Sequence, residues 1–145
     1  SEMCIRDSLI TKDEAIQRVD PENLIRLLVP RFDNDSRDEA VSNGALLVSG
    51  IPASPGAATG HAYFDADSAS EVGRSEKSVI LVRPETNPDD INGILHSAGI
   101  LTSRGGTTSH AAVVTRGLGK ACIVGAEALT FGRDGKSFQC RDLTV

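Results

Sequence analysis

The chain has 145 residues, a net charge of −5, no Trp and only 3% aromatic residues, with fourteen glycines. That is one ordinary α/β-sized domain with a short appendage, too short for two full domains, and its core must be built from closely packed Ala, Val, Ile and Leu. An acidic chain with no basic face excludes nucleic acid as a default partner, and no window approaches the roughly eighteen apolar residues of a membrane span.

The start of the chain lacks the basic-then-apolar layout of a signal peptide. Cys4, Cys122 and Cys140 form no CxxC pair and no even framework, which points to a reducing, cytoplasmic setting. Residues 3–8, "MCIRDS", show neither helical nor strand periodicity and back-translate to a common sequencing-adaptor end, so residues 1–10 are set aside as a non-native leader.

Thr11-Lys12-Asp13-Glu14 is a capping box, with Ala15, Ile16 and Val19 after it on one face. Asp20-Pro21 repeats the start signal, and Leu24, Ile25, Leu27 and Leu28 give an apolar face ended by Pro30. Residues 11–29 therefore read as a helical pair. Residues 31–44, "RFDNDSRDEAVSNG", are polar, charged and nearly aperiodic, which predicts a linker and a domain boundary. As flexible coil, eleven of its residues would span about 15–20 Å.

From residue 45 the pattern changes to short β-type runs at 45–50, 60–64, 78–82, 99–102 and 121–125, with weaker runs near 129–131 and 137–140. Two helices interrupt them. The first has Asn87 as cap and Pro88 in its first turn, with Asp89 and Asp90 complementing the dipole. Its Ile91, Ile94, Leu95 and Ala98 are expected to face inward, with Gly99 as the stop. The second starts at Ser109 or His110 and ends at Gly117. The order predicts an α/β domain over 45–145, a mixed sheet with helices packed on it.

The chemistry concentrates in "SRGGTTSHAAVVTRGLG", residues 103–119. His110 opens a helix whose next residues, Ala111, Ala112, Val113 and Val114, are apolar on every side and expected to be buried. Thr108 and Ser109 can cap that helix, its first amides are left unpaired, and Gly105 and Gly106 let backbone approach an anion closely. A helix N-terminus disfavours the imidazolium, so His110 is expected to be neutral with a free nitrogen lone pair. Such a nitrogen can attack phosphorus, and the amides with the Thr108 or Ser109 hydroxyl would stabilise the product. Arg116 either steadies a phosphate or pairs with an acidic surface. The rival reading makes His110 a helix-start residue with satisfied hydrogen bonds.

Other signals are weak. "GGTTSH" lacks P-loop spacing, "SPGAATG" is not GxGxxG, and neither "ASPG" nor "TTSHA" is a nucleophile elbow. His61 reads as a solvent-facing strand residue and His96 as lying on the polar or end face of its helix, and neither has metal-ligand spacing, so no metal site is expected. Cys122 lies in an apolar run and reads as core.

Residues 100–125, "ILTSRGGTTSHAAVVTRGLGKACIVG", resemble the phosphohistidine motif of the PEP-utilising enzymes. Residues 50–67 and 79–95 look like the same domain in the pyruvate, phosphate dikinase branch, with PEP synthase or another PEP-utilising enzyme as the alternative. The resemblance implies a swivelling β/β/α phosphohistidine domain, truncated at its C-terminal side, with residues 11–30 closing a preceding domain. It implies as partners an ATP-grasp domain and a PEP/pyruvate-binding barrel, which together convert ATP, phosphate and pyruvate to AMP, diphosphate and PEP. His110 matches the histidine carrying the pyrophosphoryl and phosphoryl groups. Thr108 matches the threonine modified by a regulatory kinase/phosphatase in some members. Mg²⁺ would be bound by the partner domains and not by this chain. Thr107 stands where those dikinases usually have Met. A module that keeps the fold without the chemistry is the competing class; it would tolerate loss of His110.

Overall fold

The computed structural model describes residues 2–7, 9–20, 28–141 and 143–145. The chain divides into two compact units, Ser1–Pro30 and Arg31–Val145. In the first unit the stretch without readable periodicity contains helix α1 (Glu2–Arg6). Helix α2 (Lys12–Gln17) starts on the capping box seen in the sequence, where the Glu14 amide donates to Thr11 Oγ1 at 3.2 Å and the Thr11 amide to Glu14 Oε2 at 2.8 Å. The second helix of the expected pair falls mainly on residues 21–27, outside the described residues.

The second unit corrects the linker reading. Residues 31–44 contain a helix, α3 (Asn34–Ser42), capped by Asp33, which accepts hydrogen bonds from the Ser36 amide and hydroxyl, both at 3.0 Å. None of its residues is buried, so it has no apolar stripe for periodicity to reveal. Nine helical residues rise about 14 Å, and the coil span expected for this stretch does not apply.

Residues 45–50 do not form the expected strand. Their backbone is bound by side chains instead of by a ladder: the Leu47 carbonyl accepts from Cys140 Sγ at 3.1 Å and the Leu46 carbonyl from the Arg141 guanidinium at 3.3 Å. The first strand, β1 (Ile51–Ser54), comes directly after. It is followed by β2 (His61–Tyr63), α4 (Ala66–Arg74) and β3 (Val79–Arg83). Next come a 3₁₀ turn (Pro88–Asp90), α5 (Ile91–His96), β4 (Gly99–Thr102), α6 (His110–Leu118) and β5 (Ala121–Val124). Three short strands close the unit: β6 (Thr130–Phe131), β7 (Phe138–Cys140) and β8 (Leu143–Thr144).

The five longer strands form one sheet in the order β1-β5-β4-β3-β2, parallel except for β1, which runs antiparallel to β5. Each crossover from β2 to β5 moves one place in the same direction, so right-handed connections put α4, α5 and α6 on one face. There Leu81, Val79, Ile100, Cys122 and Val124 meet Ala69, Ile94, Ala111 and Ala112 of the helices. The opposite face carries the antiparallel sheet β6-β7-β8, and Val82, Ala126, Leu129, Phe138 and Cys140 form a second core. The result is a mixed α/β fold with packed helices, in three layers.

Helix α4 is absent from the sequence reading. It packs through small residues: a Cβ on Gly73 would lie 2.1 Å from the His96 carbonyl oxygen, and one on Gly93 would lie 2.7 Å from Ala66 Cα. Backbone-to-backbone packing of α4 on α5 leaves few large apolar residues to set a period. The helix expected to stop at Gly99 ends at His96, with Ser97 as its cap and Gly99 opening β4. Leu95 and Ala98, read as inward, are exposed, and so is Val113, read as buried.

Candidate functional site

Parallel strands deliver their carboxyl ends to one edge of the sheet, the usual place for ligands in open α/β sheets. The loop after β3 carries Thr86, and the loop after β4 leads into His110, the first residue of α6. The sequence separates these residues by 24 positions, and the fold brings His110 Nδ1 to 3.3 Å from Thr86 Oγ1. Thr86 is buried and His110 half-buried.

The β4–α6 loop is built for exposure on a fixed base. Ser103 and Arg104 amides donate to the Arg83 and Pro84 carbonyls at 3.2 and 2.9 Å, and Thr102 Oγ1 donates to the Arg104 carbonyl at 2.7 Å. The chain then turns at Gly105, whose φ of 103° strongly favours glycine. A Cβ there would sit 3.0 Å from Ser109 Cβ, so the loop folds back on the residue before the histidine, while a Cβ on Gly106 would meet open space. Ser109 is the N-cap of α6 and accepts from the Ala112 amide at 3.4 Å. The Thr108 side chain is exposed and has no hydrogen-bond partner among the described residues. Arg116 turns back along its own helix: Nε donates to the Ala112 carbonyl at 3.0 Å and Nη2 to the Thr107 carbonyl. Its guanidinium thus closes the loop onto α6.

Thr86 is held by a separate cluster. Asp90, buried at 5% exposure, accepts from the Asn87 amide at 2.9 Å and lies 3.5 Å from the Arg83 guanidinium. Arg83 also donates to the Phe64 carbonyl at 3.0 Å. These bonds tie residues 83–90 to the sheet edge, and Thr86 takes its place from them. Sequence reasoning missed Thr86; the only local signal was its position between Pro84 and the Asn87-Pro88 cap.

Beside this site an open cleft of about 630 Å³ gathers at the same carboxyl edge, lined by Pro84, Ser103, Arg104, Gly105, Glu127 and Thr130 among others. His61 is exposed, and His96 Nδ1 lies 2.9 Å from the Asn92 carbonyl and 3.2 Å from Ser70 Oγ, a structural role. Cys122 and Cys140 are free and buried; burial pushes the Cys122 thiol up, which removes it as a nucleophile. No cluster of three or more His, Cys, Asp or Glu suited to a metal occurs among the described residues, and no helix among them is long and apolar enough to cross a membrane.

An imidazole at the head of a helix, one nitrogen engaged by a buried hydroxyl and a glycine-bearing polar loop around it, is equipped to accept and hand on an anionic group. Residues 75–139, which include both Thr86 and His110, match the family described as PEP-utilising enzyme, mobile domain.

The chain is similar to proteins named pyruvate, phosphate dikinase. It is 48% identical over 123 residues to the one from Rhizobium meliloti and 49% over 125 residues to the one from Entamoeba histolytica. It is 44% identical over 143 residues to the chloroplastic dikinase 1 of Arabidopsis thaliana. These alignments take in 85%, 86% and 97% of this chain, and only 13%, 13% and 14% of the relatives.

Proposed function

We propose that the second unit is the phosphoryl-carrying domain of a pyruvate, phosphate dikinase, with His110 as the carrier. The observation that supports this most directly is the His110 Nδ1 to Thr86 Oγ1 contact of 3.3 Å. With Nδ1–H donating to the threonine, the tautomer is set and Nε2 keeps its lone pair.

Nε2 attacks the β-phosphorus of ATP; the N–P bond forms, the bond to the α-phosphate oxygen breaks, and AMP leaves with the electron pair. Phosphate then takes the terminal phosphoryl group and departs as diphosphate. The enolate oxygen of pyruvate takes the remaining phosphoryl group, releasing PEP and free imidazole. The nucleotide and pyruvate belong to an ATP-grasp domain and a barrel outside this chain, and so does Mg²⁺, which supplies charge neutralisation to the phosphates there. Two pockets served by one histidine require the domain to swivel, because each must hold its reactants at near-attack distance.

The chain alone therefore completes no turnover. An exposed Thr108 hydroxyl two residues before His110, with no hydrogen-bond partner among the described residues, suits modification by a regulatory kinase/phosphatase: added negative charge there repels an incoming phosphate. Free buried cysteines suit a reducing compartment, the cytoplasm or, as the name of the Arabidopsis relative suggests, a plastid.

The test supplies this chain with a dikinase PEP/pyruvate barrel, Mg²⁺ and phosphorus-labelled PEP. Label lost in acid and kept in alkali is expected on the wild type and absent from His110→Asn. Equal labelling of the two would remove His110 from the role.

A further inference from the structure

We infer that Arg104 is the cation that pairs with the phosphoryl group on His110, a further substrate-binding residue; this rests on the carrier reading given above. A phosphoryl group on nitrogen brings close to two negative charges to a chain whose net charge is already −5. Holding it calls for a guanidinium or ammonium nearby, and Arg gives the better two-toothed geometry. The other arginine on this loop and helix, Arg116, is turned onto the carbonyls of Thr107 and Ala112.

Arg104 is arranged differently. Its backbone is fixed on both sides, by the amide bond to Pro84 and the Thr102 hydroxyl on its carbonyl. Its side chain is exposed, lines the cleft at the carboxyl edge and has no hydrogen-bond or ion-pair partner among the described residues. Among the described residues, the only other charged one lining that cleft is Glu127. The Gly105 Cβ position is 3.0 Å from Ser109 Cβ. Arg104 and His110 stand one residue outward of that contact, which brings their Cα atoms within about 14 Å. A three-methylene guanidinium and a phosphorylated imidazole together cover that distance, and Gly105 and Gly106, next to Arg104, add no side chain of their own. The fixed backbone and free guanidinium let Arg104 follow the group on His110 while the loop stays still.

The experiment uses the full chain and phosphoramidate, a small donor that transfers its phosphoryl group to imidazole nitrogen with loss of ammonia. ³¹P NMR then follows the titration of the phosphoryl group in wild type, Arg104→Gln, Arg104→Lys and His110→Asn, with circular dichroism to verify folding. Removing a cation in contact should raise the phosphoryl pKa by about one unit or more in Arg104→Gln, with Arg104→Lys closer to wild type. If His110→Asn takes up as much phosphoryl as wild type, the carrier reading fails and this inference falls with it. If His110 is phosphorylated in all folded Arg104 variants and titrates as in wild type, the carrier reading stands and the role given to Arg104 is overturned.

Discussion

Two loops leave the same edge of the sheet, and they are made on opposite plans. Residues 84–87, after β3, are pinned by a buried carboxylate, an arginine and a capping bond, and they offer one buried hydroxyl. Residues 103–109, after β4, turn on a glycine with φ of 103° and leave Arg104, Thr107 and Thr108 exposed. The first is a support and the second a working surface. On the carrier reading proposed above, the difference teaches that an imidazole is best held from the side that does not meet substrate. The bonds that fix the site are built into a neighbouring strand's loop, and the loop that leads into His110 stays open.

That division can be broken at its rigid side. Asp90→Ala removes the partner of Arg83 and the bond to the Asn87 amide, leaving a partly buried guanidinium uncompensated. The expected cost is about 2–4 kcal/mol, reduced from the fully buried case because the Arg83 side chain is 28% exposed; urea unfolding measures it. Loss of less than about 0.5 kcal/mol would mean that the loop is held by packing alone.

Thr86→Val sharpens the comparison with a smaller change, since it keeps the shape and removes the hydroxyl. One hydrogen bond of about 1 kcal/mol corresponds to roughly a fivefold fall in the rate of His110 phosphorylation, with the urea midpoint little changed. Unchanged ¹⁵N shifts of the His110 ring in that variant would remove the tautomer argument.

The smallest effect lies outside both loops and serves as a control. Ser36 hydrogen bonds hold the Asp33 carboxyl below its ordinary value of 3.8. A depressed folded pKa contributes stability above the unfolded value and loses it as pH falls through the folded one. Hydrogen exchange at the Ser36 amide should therefore lose protection below about pH 4, with residues 84–87 unaffected. Fraying of both together would tie α3 to the site edge.

The working loop was the legible part because its glycines, hydroxyls and imidazole are contiguous in the chain. The supporting loop was not: Arg83, Thr86 and Asp90 look like an unremarkable strand end and helix cap until the sheet sets Thr86 beside His110. The apolar runs announced β3 and β4 because strands covered on both faces read as nearly continuous Val, Ile and Leu. Periodicity failed where burial was absent, as in α3, or achieved by small residues, as in α4. It misled at residues 45–50, where Val48 packs on the second core while the backbone makes its bonds to Cys140 and Arg141 side chains.

The Arg116 clasp has a consequence for position 107. Arg116 grips residue 107 by its carbonyl oxygen, a group that every amino acid possesses, while the Thr107 side chain faces solvent. The ring of chain closed between residues 107 and 116, with His110 inside it, is therefore blind to the side chain at 107. A change of side chain there alters what a visiting protein would meet and leaves the seat of the histidine untouched.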